Sequence, residues 1–161
     1  MDGGQHFRES DTLTPGDAIT LFDTKFGRFG LCICFDLRFQ ELSALMAQQG
    51  ALAIFAPAAF NMTTGPAHWE NTFRQRAVDN QLFMIGVSQA RDESFEYVSY
   101  GNSLAVDPWG TVLCRCDGEA CTLLVELDLG RVADVRRQLP ILSARRSDLY
   151  RLQDRTSGTA Y

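Results

Sequence analysis

The stretch Phe29–Leu42, "FGLCICFDLRFQEL", decides how the chain is read. It opens as an apolar run, passes through Cys34 and within a few residues turns helical in character. A short, continuous apolar run suits a strand covered on both faces, so residues 28–35 are expected as a strand. Leu37, Leu42, Leu45 and Met46 then recur at helical spacing, and Gly50 stands where a helix would end. Cys34 would thus lie at the carboxyl end of a strand, where open α/β sheets place their sites. A helix starting there aims N–H groups at the thiol, which favour a thiolate and can bind an oxyanion. Phe35 and Asp36 would supply such donors or begin the cap. The same pattern also describes a buried core thiol, and Cys32, two residues earlier, is expected to be inert packing.

Outward from this stretch, strand and helix signals alternate. "ALAIFAPAAF" (51–60) reads as a second buried strand. "GPAHWENTFRQRAVDNQ" (65–81) reads as a helix entered through a loop, with Pro66 near its start and Trp69, Phe73 and Val78 along one side. "LFMIGVSQA" (82–90) is a third strand. Residues 97–116 read as two strands joined at "DPWG", where Pro108 and Gly110 supply the turn chemistry. "CTLLVELDL" (121–129) reads as a further strand and "GRVADVRRQLP" (130–140) as a last helix stopped by Pro140. Strand–helix–strand–helix–strand implies crossover connections and a parallel core, with later strands added in mixed orientation. The expected class is α/β in one unit spanning residues 1–161, without repeats or linkers.

With 161 residues, 45% of them hydrophobic, the chain can bury a core as one domain. A net charge of -5 and the lack of a dense basic cluster argue against a nucleic-acid partner. No apolar run approaches the roughly 18–20 residues of a membrane-spanning helix. Residues 1–10 have neither the basic nor the apolar region of a signal peptide. Five cysteines are too few for a disulfide scaffold and odd in number, so free thiols in a reducing compartment are expected. The C-x-C pairs Cys32/Cys34 and Cys114/Cys116, with only His6 and His68 to help, have the wrong spacing for zinc, so no metal is expected. A redox pair of Cys32 and Cys34 is disfavoured too, because residues i and i+2 of a strand rarely reach disulfide geometry.

"GLCICFDLRFQEL" closely resembles the nucleophile motif of the nitrilase superfamily of carbon–nitrogen hydrolases, G-x-x-I-C-Y/F-D-x-R-F-x-E. "FNMTTGPAHWENTFRQRAVDNQ", "YGNSLAVDPWGTVL" and the tail "RRQLPILSARRSDLY" are similar to three further family blocks, so the resemblance runs from about Phe7 to Tyr150. "NMTTGPAHW" together with the "RRSDLY" ending looks most like the omega-amidase branch. The resemblance implies hydrolysis of the terminal amide of small dicarboxylic acid monoamides, such as 2-oxoglutaramate or succinamate. Cys34 would form the thioester and release ammonia. Glu9 matches a supporting glutamate; from the residues alone it would be an exposed turn carboxylate. Phe35, Met62, Thr63 and Thr64 are the expected substrate contacts, although Thr63 or Thr64 could equally cap the next helix. Arg38, Glu41, Glu70, Arg76 and Asp79 are charged residues set among apolar ones and are expected mostly as structural ion pairs. His68 is read as a packing and hydrogen-bonding residue, since the family base is a glutamate. No cofactor is implied, a homodimer is expected of the full-length form, and the compartment would be the cytoplasm or the mitochondrion.

The family triad also needs a glutamate base and a lysine, which the resemblance places upstream of Met1; Lys25 stands in the wrong place. The chain is therefore expected to be N-terminally truncated relative to the family and a poor amidase by itself. Its fold would be part of the family's αββα sandwich, a mixed sheet with helices on one face and the other face left apolar and open. The alternative from another class is a non-catalytic family member acting as a binding or regulatory partner.

Overall fold

A computed structural model describes residues 13–156. Six strands form one mixed sheet in the order of the chain: β1 (Thr20–Thr24), β2 (Gly27–Leu31), β3 (Ala53–Pro57), β4 (Phe83–Val87), β5 (Leu104–Val106) and β6 (Val112–Arg115). The pairs β2–β3 and β3–β4 are parallel, and the other three pairs are antiparallel. The two parallel pairs are where the crossover helices lie, α1 (Gln40–Gln48) and α2 (Gly65–Asn80). α3 (Gly130–Gln138) follows the sheet. The class is α/β, as the alternation of signals implied.

One face of the sheet is sealed by α1 and α2. Ile54, Ala56, Met84, Leu104 and Val106 of the strands meet Met46, Trp69, Phe73 and Ala77 of the helices in one buried cluster. Two strand glycines permit that approach. A Cβ on Gly30 would stand 2.6 Å from Met46 Sδ, and one on Gly86 would stand 2.6 Å from the Phe73 ring. The buried stripe of α2 is Trp69, Phe73, Ala77 and Asn80; Val78, expected on it, lies one residue off and is exposed. Helix α1 stops before Gly50, which takes the left-handed φ of 92° that ends a helix cleanly.

Among the described residues the opposite face is covered only at one end, where Val132 of α3 packs on Ala53 and Phe83 beside Leu127 and Leu129. Arg136 fixes α3 there by donating to the carbonyls of Ala51 and Asn80, at the closing ends of α1 and α2. Elsewhere this face presents a row of rings: Phe22 to Phe29 at 5.9 Å and Phe29 to Phe55 at 5.9 Å, with Phe22 and Val87 exposed.

Three expectations need correction. The strand expected over residues 28–35 ends at Leu31, and β1 pairs with it in an unforeseen hairpin through Lys25 and Phe26. Residues 121–129 form no strand: Leu124 is fully exposed, and a strand needs a ladder partner that is lacking beside it among the described residues. The thiols are not all free, because Cys116 and Cys121 form a disulfide that closes the loop after β6. Gly118 O and Asp117 O of that loop accept Arg91 N and Asn102 N at 2.7 and 2.9 Å. Cys32, Cys34 and Cys114 are free.

Candidate active site

Beyond Leu31 the chain leaves β2, and residues Cys34–Arg38 wind into a single 3₁₀ segment before α1 begins. Asp36 stabilises the bend: its Oδ2 accepts Ile33 N at 2.9 Å while its own N–H donates to Ile33 O at 3.0 Å. At the head of this bend Cys34 has a φ of 47°. A non-glycine residue in the left-handed region costs about 1 kcal/mol, and such strain persists where surrounding structure imposes it. The bend lifts the side chain out of the sheet, leaving Cys34 half-buried with Sγ 3.9 Å from Ala59 O, which accepts its thiol hydrogen.

Cys32 provides an internal comparison. Its N–H donates to Phe55 O, extending the β2–β3 ladder, and its side chain is buried in the main core. Burial above all, then the nearby Asp36 carboxylate, pushes its thiol up to about 12 despite the opposing Arg76. A thiol so placed stays protonated and does no chemistry near neutrality. The shift has a stability consequence. Above the ordinary thiol value of 9.0 the unfolded chain loses this proton while the folded chain keeps it, so stability falls as pH rises from 9.0 towards 12. Cys32 accounts for at most one proton of that slope, about 1.4 kcal/mol per pH unit. In denaturant unfolding at successive pH values, Cys32→Ala should remove that contribution.

The loop from β3 to α2 faces Cys34 through Ala59. Its entry into the helix is organised by Asn61, whose Oδ1 accepts Thr63 N, Thr64 N and Thr64 Oγ1 at 3.1, 2.8 and 2.9 Å. Neither Thr63 nor Thr64 caps α2 with its side chain: Thr64 is the N-cap residue, but its hydroxyl is committed to Asn61, which shapes the turn before the helix. Met62 and Thr63 are exposed and Thr64 is half-buried. Phe35 is also exposed, its ring edge-on to Phe39 at 5.7 Å.

The charged residues divide differently from expectation. Glu70 does pair, with Arg115 at 2.6 Å and Arg74 at 3.7 Å. Arg38 instead lies over the Phe60 ring at 4.2 Å and meets His68 Nδ1 at 3.1 Å. Arg76 donates to the carbonyls of Leu37 and Arg38, bracing the 3₁₀ segment from α2. Among the described residues Arg38, Glu41 and Arg76 make no ion pair within 4.0 Å, and Asp79 accepts from Gln75 at 2.7 Å. Glu9 lies outside the described residues. Lys25, the sole lysine of the sequence, sits in the β1–β2 turn with Nζ 4.9 Å from the Phe26 ring centre. Five residues of β2 at about 3.3 Å each hold it away from the Cys34 end.

Two groups at the site were not foreseen from sequence. They are the carbonyl of Ala59 and Tyr97, whose Oη donates to that carbonyl at 2.5 Å. No cluster of three or more His, Cys, Asp or Glu suited to a metal occurs among the described residues.

Cys34 thus stands at a left-handed φ on a tight bend after a parallel strand, in the stretch that resembles the nucleophile block of the carbon–nitrogen hydrolases. The chain belongs to the carbon–nitrogen hydrolase family, whose sequence pattern matches residues 2–137. It is 49% identical to omega-amidase NIT2 of Bos taurus over 151 residues, which is 94% of this chain and 55% of that protein. Among solved structures, Saccharomyces cerevisiae Nit3, of branch 10 of the nitrilase superfamily, superposes with a TM-score of 0.82 at 43% identity, over 86% of this chain and 51% of that one. The C. elegans NitFhit protein gives 0.87 at 39% identity, over 94% of this chain and 37% of that one. The chain thus spans about half the length of the curated relatives it matches.

Proposed function

We propose that this chain carries the nucleophile portion of an omega-amidase-type hydrolase acting on the terminal amide of small dicarboxylic acid monoamides. The observation that carries the proposal is Cys34: a half-open thiol at a left-handed φ, one short bend beyond a parallel strand. Identity to an omega-amidase across nearly the whole chain supports the substrate class. The Cys34 sulfur attacks the amide carbon, and the carbonyl oxygen takes the negative charge. Collapse expels ammonia, once its nitrogen is protonated, and leaves a thioester. Water then attacks the thioester, releasing the dicarboxylic acid and returning the thiol. Glu9 would support the site, and Phe35, Met62, Thr63 and Thr64 would border the substrate.

By the family resemblance the glutamate base and the lysine fall outside residues 13–156, and Lys25 is remote from Cys34. We assign those two roles to a segment supplied in addition to this chain, in an assembly that pairs as a dimer. General acid–base assistance is worth about 10²–10⁴ in rate and one oxyanion donor about 10²–10³, so the 161-residue chain alone should show negligible turnover.

The test is a chimera in which the part of the bovine omega-amidase outside the match precedes this chain. Ammonia release from succinamate should exceed that of the isolated chain by at least about 10²-fold. A folded chimera that releases no ammonia from any small ω-monoamide would overturn the assignment and favour a non-catalytic binding role.

A further inference from the structure

We propose that Tyr97 is a positioning residue for Cys34, acting through the carbonyl oxygen of Ala59. The proposal rests on the reading of Cys34 as nucleophile and names a group that prepares it. One oxygen receives two donors: Cys34 Sγ at 3.9 Å and Tyr97 Oη at 2.5 Å. The first contact by itself opposes catalysis. A carbonyl that accepts the S–H bond favours the thiol, and the same oxygen facing a thiolate repels it.

The carbonyl cannot readily swing aside when the proton leaves. On one side of Ala59, Ala58 N donates to Val87 O at 2.9 Å, continuing the sheet. On the other, Phe60 O accepts Tyr100 N at 2.7 Å, and Asn61 bridges to Ser99. The segment that grips the loop is the one that carries Tyr97, so the phenol is delivered to the carbonyl by the same pairing that immobilises it. Donation from Tyr97 draws electron density from the Ala59 oxygen, weakening it as an acceptor for the thiol and as a repeller of the thiolate. On this assignment Tyr97 acts on the carbonyl and not on the reacting carbon. It lowers the cost of the ionisation that must precede attack.

The experiment is iodoacetamide labelling of Cys34 in the 161-residue chain across a pH series, comparing wild type with Tyr97→Phe. The adduct is located by fragmentation of the peptide that also holds Cys32, whose buried thiol is the unreactive reference. The Tyr97 ring is partly exposed, so phenylalanine keeps its packing while removing the donor. Tyr97→Phe should move the labelling profile to higher pH and slow labelling at neutral pH by about three- to ten-fold, the worth of one hydrogen bond. The plateau rate at high pH should not change. A profile that superimposes on wild type overturns the positioning role and leaves Cys34 as nucleophile. A lowered plateau without displacement along the pH axis also overturns it, since that marks a merely structural role. A wild-type Cys34 that resists labelling over the whole range removes the nucleophile reading, and the proposal with it.

Discussion

Replacing Cys34 by alanine in the completed chimera is expected to reduce ammonia release by at least about 10³-fold while leaving the unfolding midpoint almost unchanged. The asymmetry follows from where the residue sits. Cys34 is half-buried at the head of a bend, the only hydrogen bond of its side chain among the described residues is the long one to Ala59 O, and its φ of 47° is held by Asp36 and Arg76 rather than by the thiol. Removing the sulfur takes away little packing and one weak contact, yet it removes the atom that forms the thioester. Serine would be nearly as damaging, because its hydroxyl ionises far less readily than a thiol near neutral pH. Steady-state ammonia release beside a denaturant melt separates the two effects. A Cys34→Ala chimera that retains turnover would mean that the bend is only a fold feature.

The opposite pattern is expected at Trp69. This indole is almost completely buried, stacks obliquely against Phe73 with ring centres 4.8 Å apart and meets Phe60 edge-on at 5.1 Å. Its Nε1 donates to Asn102 O at 2.7 Å, tying α2 to the turn before β5. Trp69→Ala should cost about 3–5 kcal/mol through the cavity alone. The stranded Asn102 carbonyl adds to this, so the variant should consume most of the stability of an ordinary domain. Trp69→Phe retains most of the ring volume but strands the same carbonyl. It should cost less, and the difference between the two variants in denaturant unfolding separates packing from the hydrogen bond. If Trp69→Ala unfolds at the wild-type denaturant concentration, the buried cluster between α2 and the sheet is not what holds this fold.

What could be read from the sequence was what local chemistry dictates. Gly50 ends α1 because only its backbone freedom suits that φ. "DPWG" makes its turn because Asp107 Oδ1 accepts the N–H groups of Trp109 and Thr111, and Gly110 sits at positive φ. What failed depended on partners distant in sequence. β1 escaped notice because nearly every position in it is exposed, so it has no alternation to betray it. Residues 121–129 carry a strand's composition, but composition does not provide a neighbouring edge. On α2 the spacing offered Val78, while packing chose Ala77, which lies a further helical turn along the line from Trp69 and Phe73.

The site divides in the same way. The position of Cys34 just beyond the carboxyl end of a parallel strand was legible from the apolar run before it and the helical spacing after it. The Ala59 carbonyl was not, since every residue offers the same backbone atom and only its neighbours in space single it out. Tyr97 reaches that carbonyl from 38 residues away in sequence, and so gave no motif to find. The expectation of ion pairs at Arg38 and Arg76 failed for a related reason. Backbone carbonyls and an aromatic face satisfied those guanidinium groups, and neither is visible as a charge in the sequence.

The most direct test of the central claim is to trap the covalent intermediate. The chimera is mixed with succinamate and quenched in acid within its first turnovers, and the protein is digested and its peptides weighed. A succinyl thioester is expected on the peptide from Phe29 to Arg38, located by fragmentation at Cys34 and absent from Cys32. Ammonia release with Cys34 unmodified, or with the acyl group on another residue, would contradict it.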